Sequence, residues 1–261
     1  MQRFIRGTSL GVVLVCSFSA VTALADGGPT IGGAPTIAYG QPNFGNLTNV
    51  APDSNGCQRE FWLLPVIAKD SVTITWSALY SDTAVSVYPV GTKDSSWPKA
   101  KAVADASSNS TGAGHVSFAA ARTGDMVVMF VDQNPSASAA CANPGPYNFS
   151  ASVVHKMIVS LRGTRKVKGP VTHTTFALRI YNPDGVRIDP PGLMYDGDIR
   201  TREYEPAGVG FQRWPLTFTV HWNYINSGYR VSFRVVASAI GYRTATSNWV
   251  TVLAWCGPDC G

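Results

Sequence analysis

Over most of this chain, apolar and polar residues alternate in short runs with a period of two. Val72, Ile74 and Trp76 are separated by Thr73 and Thr75, and Val85 and Val87 flank Ser86. Val116 and Phe118 form another short run, and Tyr147, Phe149, Ala151 and Val153 alternate again. Successive side chains of a strand point to opposite faces, so each run predicts a half-buried β-strand. Met126 to Val131 is apolar without interruption, bounded by Gly124-Asp125 and by Asp132-Gln133-Asn134-Pro135, a length that suits a central strand better than a helix. Beyond residue 157 the pattern returns in Phe176, Leu178 and Ile180, in Leu216, Phe218, Val220 and Trp222, and in Tyr229, Val231, Phe233 and Val235. Val250 and Val252 mark a last strand.

Turn residues punctuate these runs. Asn182-Pro183-Asp184-Gly185 predicts a tight turn, and Asn226-Ser227-Gly228 reads as a hairpin connection between the runs on either side. Residues 93–111 read as a polar loop containing Trp97-Pro98, and the Gly-, Pro- and Asn-rich segment 26–50 as a flexible or extended leader. No long segment has helical periodicity. The predicted fold is therefore all-β: two antiparallel β-sandwich domains in tandem, over 50–156 and 157–261.

The first 25 residues stand apart. Arg3 and Arg6 precede an apolar stretch from Leu10 to Val21, too short for a membrane span, and Ala23-Leu24-Ala25 has the form of a cleavage site. A secretory signal is expected, with the mature chain starting at Asp26. The G-x-S-x-G pattern of Gly7 to Gly11 falls inside this segment and is no nucleophile elbow. Cys57, Cys141, Cys256 and Cys260 survive the cut, an even number that in an exported chain predicts two disulfides. Three pairings exist; Cys57–Cys141 with Cys256–Cys260 keeps each bridge inside one domain. The terminal Cys256-Gly257-Pro258-Asp259-Cys260 is one residue too long for a C-x-x-C redox motif and reads as a staple.

Charge changes the picture little. Residues 26–156 carry 7 basic and 9 acidic side chains, and residues 157–261 carry 12 and 7. Arg162, Arg165, Lys166 and Lys168 cluster where the second half begins, as a solvated loop or linker would. His115, His155, His173 and His221 lack metal-ligand spacing, and Asp196-Gly197-Asp198 lacks the remaining ligands of a calcium loop. No cofactor, metal or catalytic residue is predicted, and no nucleic-acid partner. Trp97, Trp214 and Trp249 adjoin turns or polar residues and are the candidate exposed ligand-binding aromatics.

Two resemblances add to this reading. Lys69-Asp70-Ser71-Val72-Thr73-Ile74-Thr75-Trp76, with Gly145-Pro146-Tyr147-Asn148-Phe149-Ser150-Ala151-Ser152-Val153, resembles the bacterial pre-peptidase C-terminal type of β-sandwich. That resemblance implies a jelly-roll-like accessory domain without catalysis. Tyr229 to Ala237, followed by Ser247 and Val250-Thr251-Val252, resembles the last two strands of fibronectin type III and immunoglobulin-like domains, which implies a spacer or binding module. The expected function is a secreted or cell-surface bacterial protein that binds an extracellular glycan or surface protein without catalysis. The rivals are an extracellular hydrolase of cell-wall polymer and a structural envelope component.

Overall fold

The alternating runs become strands of four antiparallel sheets. The computed structural model describes residues 26–54, 56–79, 83–132, 141, 144–163, 173–200, 208–212, 217–221 and 229–254. The expected signal segment, Trp214, Cys256, Cys260, Arg165, Lys166 and Lys168 lie outside them.

In the first sheet β1 (Pro42–Asn46), β8 (Pro146–Val154), β3 (Ser71–Ala78) and β6 (Ala113–Ala119) lie side by side in that order. The second orders β2 (Arg59–Val66), β7 (Gly124–Asp132), β4 (Thr83–Tyr88) and β5 (Ala104–Ser107). The two pack face to face over one core. Trp62, Leu64, Val85, Val87, Val128 and Phe130 from one side meet Val72, Ile74, Trp76, Phe149 and Ala151 from the other. The outward phase of β3 is polar, and Thr73 and Thr75 share hydroxyl hydrogen bonds of 2.9 Å with Ser117 and Ser150 on the neighbouring strands.

β7 explains its own uninterrupted apolar run. Met126, Val128 and Phe130 face the main core, while Val127, Met129 and Val131 face a second cluster on the outside of the sheet. Two short 3-10 turns, Ile31–Gly33 and Trp97–Lys99, help to cover that outer face. Residues 26–50 are thus no flexible leader. Ile37 and Leu47 are core residues, Gly28 pairs with Phe61, and β1 is an edge strand of the first sheet. The segment was misread because Gly and Pro here mark close backbone approach and sharp entry, not looseness. Residues 93–111 likewise are not a bare loop, since they contain the Trp97–Lys99 turn and β5.

The second sandwich orders β12 (Gly208–Gln212), β13 (Thr217–His221), β10 (His173–Tyr181) and β9 (Ile158–Gly163) in one sheet. In the other, β14 (Tyr229–Ser238) pairs with β11 (Met194–Arg200), β15 (Ala245–Thr246) and β16 (Val250–Ala254). Val159, Leu161, Leu178 and Ile180 from the first pack against Phe233, Val235 and Ala237 from the second. β13 and β14 therefore do not form the expected hairpin: β13 pairs with β10 and β12, and β14 lies in the opposite sheet. Each run needs an apolar neighbour facing it, and crossing between sheets meets that need. Asp196-Gly197-Asp198, expected in a loop, lies on β11. The turn at Asn182–Gly185 forms as expected, with the Asn182 side chain accepting from the Asp184 and Val186 amides and Gly185 at a φ of 80°.

Candidate functional site

β8 ends at Val154 and β9 begins at Ile158, so the segment that joins the two sandwiches is short. His155 is its anchor. Its amide donates to the Gly241 carbonyl at 2.8 Å, and its carbonyl accepts from the Arg243 amide at 2.9 Å. Its Nδ1 lies 3.0 Å from an Asp70 carboxylate oxygen. Asp70 is fully buried, and its other oxygen accepts the Ile67 amide at 2.8 Å. The ring of Tyr242 lies 5.2 Å from that of His155. Burial, and then the Asp70 charge, pushes the Tyr242 hydroxyl above its ordinary range. Tyr39 is raised for the same two reasons, and its hydroxyl donates to the Pro65 carbonyl at 2.7 Å. His155→Ala leaves the buried Asp70 carboxylate with a single donor among the described residues, the Ile67 amide. It should cost about 1–3 kcal/mol of stability, read from denaturant unfolding against the parent protein.

Beside this joint the sandwiches enclose a cleft of about 510 Å3, within the range of about 300–1,000 Å3 common for small-ligand sites. Lys69, Lys156 and Arg243 line it, together with Ser71, Thr244 and Thr246. Met157, Val159 and Ala245 supply apolar lining, and among the described residues no carboxylate belongs to it. Lys69 is held in left-handed backbone, φ 70°, by its amide bond to Ala120 and by the Asp70 amide bond to Ile67. A non-glycine residue in this region is uncommon and costs about 1–2 kcal/mol. The Arg243 guanidinium donates to the Ser71 hydroxyl, so one cation bridges the two halves. Lys69 and Lys156 make no ion pair among the described residues.

The Asp70–His155 pair has the form of the acid and base of a nucleophilic relay, which also needs a hydroxyl or thiol on the far ring nitrogen. Among the described residues no serine, threonine or cysteine is hydrogen-bonded to His155, and the Ser71 hydroxyl is engaged by Arg243. The pair acts as a joint between sandwiches.

The residues singled out by sequence lie elsewhere. Trp97 is half-buried, packed on Phe61 and Tyr88 with ring centroids 5.4 and 6.4 Å away, and the Arg59 guanidinium lies 5.3 Å from its ring. Trp249 is also half-buried, with the Arg234 guanidinium 4.6 Å from its ring. Neither is a bare stacking platform, and neither lines the cleft; Trp214 is outside the described residues. Cys57 and Cys141 are bonded to each other. Their sulfurs and an Asp132 oxygen lie within 4.8 Å of one another, but the sulfurs are consumed by the disulfide and Asp132 accepts the Gln58 amide at 2.7 Å. Cys256 and Cys260 are outside the described residues.

A second polar centre lies inside the first sandwich. The Trp62 indole donates to the Tyr147 hydroxyl at 2.8 Å, which donates to Glu60 at 2.6 Å. Glu60 is fully buried. Sequence reading missed it because it sits beside the apolar run Phe61 to Leu64. The available signal was its phase: Glu60 is in step with Trp62, Leu64 and Val66, all of which face the core.

No family model matches the chain, and no curated protein does. Among solved structures it is similar to the glycoside hydrolase domain of Endo-D from Streptococcus pneumoniae R6, at 12% identity and a TM-score of 0.26 over 82% of this chain and 33% of that one. It is also similar to the GH2 beta-galacturonidase from Eisenbergiella tayi bound to galacturonate, at 12% identity and a TM-score of 0.23 over 76% of this chain and 35% of that one. The chain thus spans about a third of the length of each.

Proposed function

We propose that this chain is an exported, non-catalytic binding protein that takes an acidic glycan in the cleft between its sandwiches. One observation carries the reading: Lys69, Lys156 and Arg243 line a single cleft whose lining, among the described residues, contains no carboxylate. Three cations around one cleft favour an anion, and a guanidinium fork fits a carboxylate or sulfate. Thr244 and Thr246 suit the hydroxyls of a sugar, and the apolar lining suits its carbon face. The leader and the resemblance to accessory sandwiches support an extracellular setting.

Calorimetric titration with an alginate tetrasaccharide, beside a neutral dextran oligomer of equal length, tests this. Saturable binding of the uronate alone is expected, weakened by added salt. Lys156→Gln and Arg243→Gln should each weaken it about tenfold, while Trp97→Ala and Trp249→Ala leave it unchanged. Equal binding of the neutral oligomer, or uronate binding indifferent to both cation substitutions, would sink the reading.

A further inference from the structure

Glu60 is a buried carboxylate without a cation. Among the described residues it makes no ion pair. The titratable groups acting on it are the Tyr147 hydroxyl and the Asp26 carboxylate, neither of which can supply positive charge. Its other contacts are main-chain amides: Asn46 donates to Oε1 at 3.4 Å, and Gly27 also donates to the carboxylate. Burial, the largest influence, raises its proton affinity above the ordinary carboxylate range. A buried charge in this position costs several kcal/mol unless it is paired.

The surroundings leave no room for a basic side chain. A Cβ on Gly27 would stand 2.6 Å from the Glu60 Cβ and 2.8 Å from its Oε2, and a Cβ on Gly45 would stand 2.5 Å from Oε2. Two bare backbones therefore wall the carboxylate, and the positive charge that a main chain can carry is a free amino terminus. The backbone here is well placed. Gly28 and Phe61 exchange two main-chain hydrogen bonds of 3.0 and 2.8 Å, and the Asn49 side-chain Nδ2 donates to the Asp26 carboxylate at 3.0 Å. The Asp26 nitrogen is one residue, about 3.6 Å of chain at most, from the Gly27 nitrogen that already reaches Glu60.

We infer that removal of the leader creates the missing partner: the α-ammonium of Asp26 pairs with the buried Glu60 carboxylate. The inference rests on the expected cut after Ala25 and is independent of the cleft. Hydrolysis of the Ala25–Asp26 peptide bond consumes one water. The acyl carbon leaves as the Ala25 carboxylate, and the nitrogen, no longer an amide, is protonated to an ammonium. The uncut chain folds with Glu60 uncompensated; the cut chain folds with it neutralised. Processing thus adds stability after the leader has done its work.

The chain 26–261 is made with a free Asp26 amine, with that amine acetylated, and with one glycine placed before it, each with Glu60 or with Glu60→Gln. In the Glu60 background, acetylation and extension should each shift the folding equilibrium toward the unfolded state by about tenfold or more. In the Glu60→Gln background neither should matter. The pH slope has a defined sign. In the acetylated protein the native state binds the Glu60 proton more tightly than the unfolded chain does. Its stability is therefore highest below about pH 4.3 and falls as pH rises toward the folded value. A free amine should flatten or reverse that fall. The α-amine should titrate above its ordinary value of about 8, and return to it in Glu60→Gln. Equal losses in both backgrounds, an unshifted amine, or an exported protein whose intact mass starts at a residue other than Asp26 would overturn the inference.

Discussion

Breaking the Cys57–Cys141 bridge lowers the unfolding free energy by about 4–5 kcal/mol. The two cysteines are 84 residues apart, so the cross-link removes a long loop from the unfolded ensemble. The folded state keeps most of its contacts without it. Cys57 packs against the outer cluster of the β2–β7 sheet through its side chain, and serine of similar size preserves much of that shape. The loss therefore falls mainly on the unfolded state. Guanidinium melts of the oxidised protein, of the reduced protein and of the Cys57→Ser/Cys141→Ser double variant measure it. The double variant should show a lowered midpoint and a steeper denaturant slope, since the uncrosslinked chain exposes more surface, and reduction should lower the midpoint at least as far. A midpoint that reduction does not move would mean that the bridge holds together ends already fixed by β2 and β7.

Phe130→Ala should cost about 3–5 kcal/mol. Phe130 has no exposed surface and sits at the centre of the first core. Its ring stacks on Tyr147 at 4.2 Å, tilts against Phe149 at 4.8 Å and meets Trp76 edge-on at 6.3 Å. Removing it leaves a void bounded by other rings, which cannot collapse without disturbing the Tyr147 hydroxyl and hence Glu60. Phe130→Leu, which fills most of the volume, should recover the larger part of the loss. Thermal unfolding of the three proteins checks the order, and an alanine variant no weaker than the leucine one would show that the cavity refills.

Much of the architecture was legible because the strand period is unambiguous when one face is buried. Val72, Ile74 and Trp76 lie inward on β3 as their alternation requires, and the unbroken run at Met126 to Val131 marks a strand packed on both faces by apolar clusters. Pairing was less legible. The period of two says which face of β13 and β14 is buried, but not which neighbour each strand takes, so the Asn226–Gly228 turn was read as joining partners. The candidate site escaped for a different reason. Lys69, Lys156 and Arg243 come from a turn, a linker and the loop before β15, and none belongs to the basic cluster that local charge density points to. Arg162 of that cluster is exposed on β9, away from the cleft lining. Only the approach of two sandwiches collects the three cations.

The order of strands in the first sandwich has a kinetic consequence. β1 pairs along its length with β8, Phe44 opposite Asn148, and β2 pairs with β7, Glu60 opposite Phe130. The earliest strands thus depend on the latest, a topology of high contact order. Domains of this kind fold in milliseconds to seconds, because loop closure precedes the contacts that reward it. A chain delivered from its amino end exposes β1 and β2 long before their partners arrive. The β4–β5, β3–β6 and β4–β7 pairings, closer in sequence, are the ones available to form first. Residues near the amino end, Gly27 and Gly28 among them, are then among the last to dock, arriving on a sheet that is already assembled.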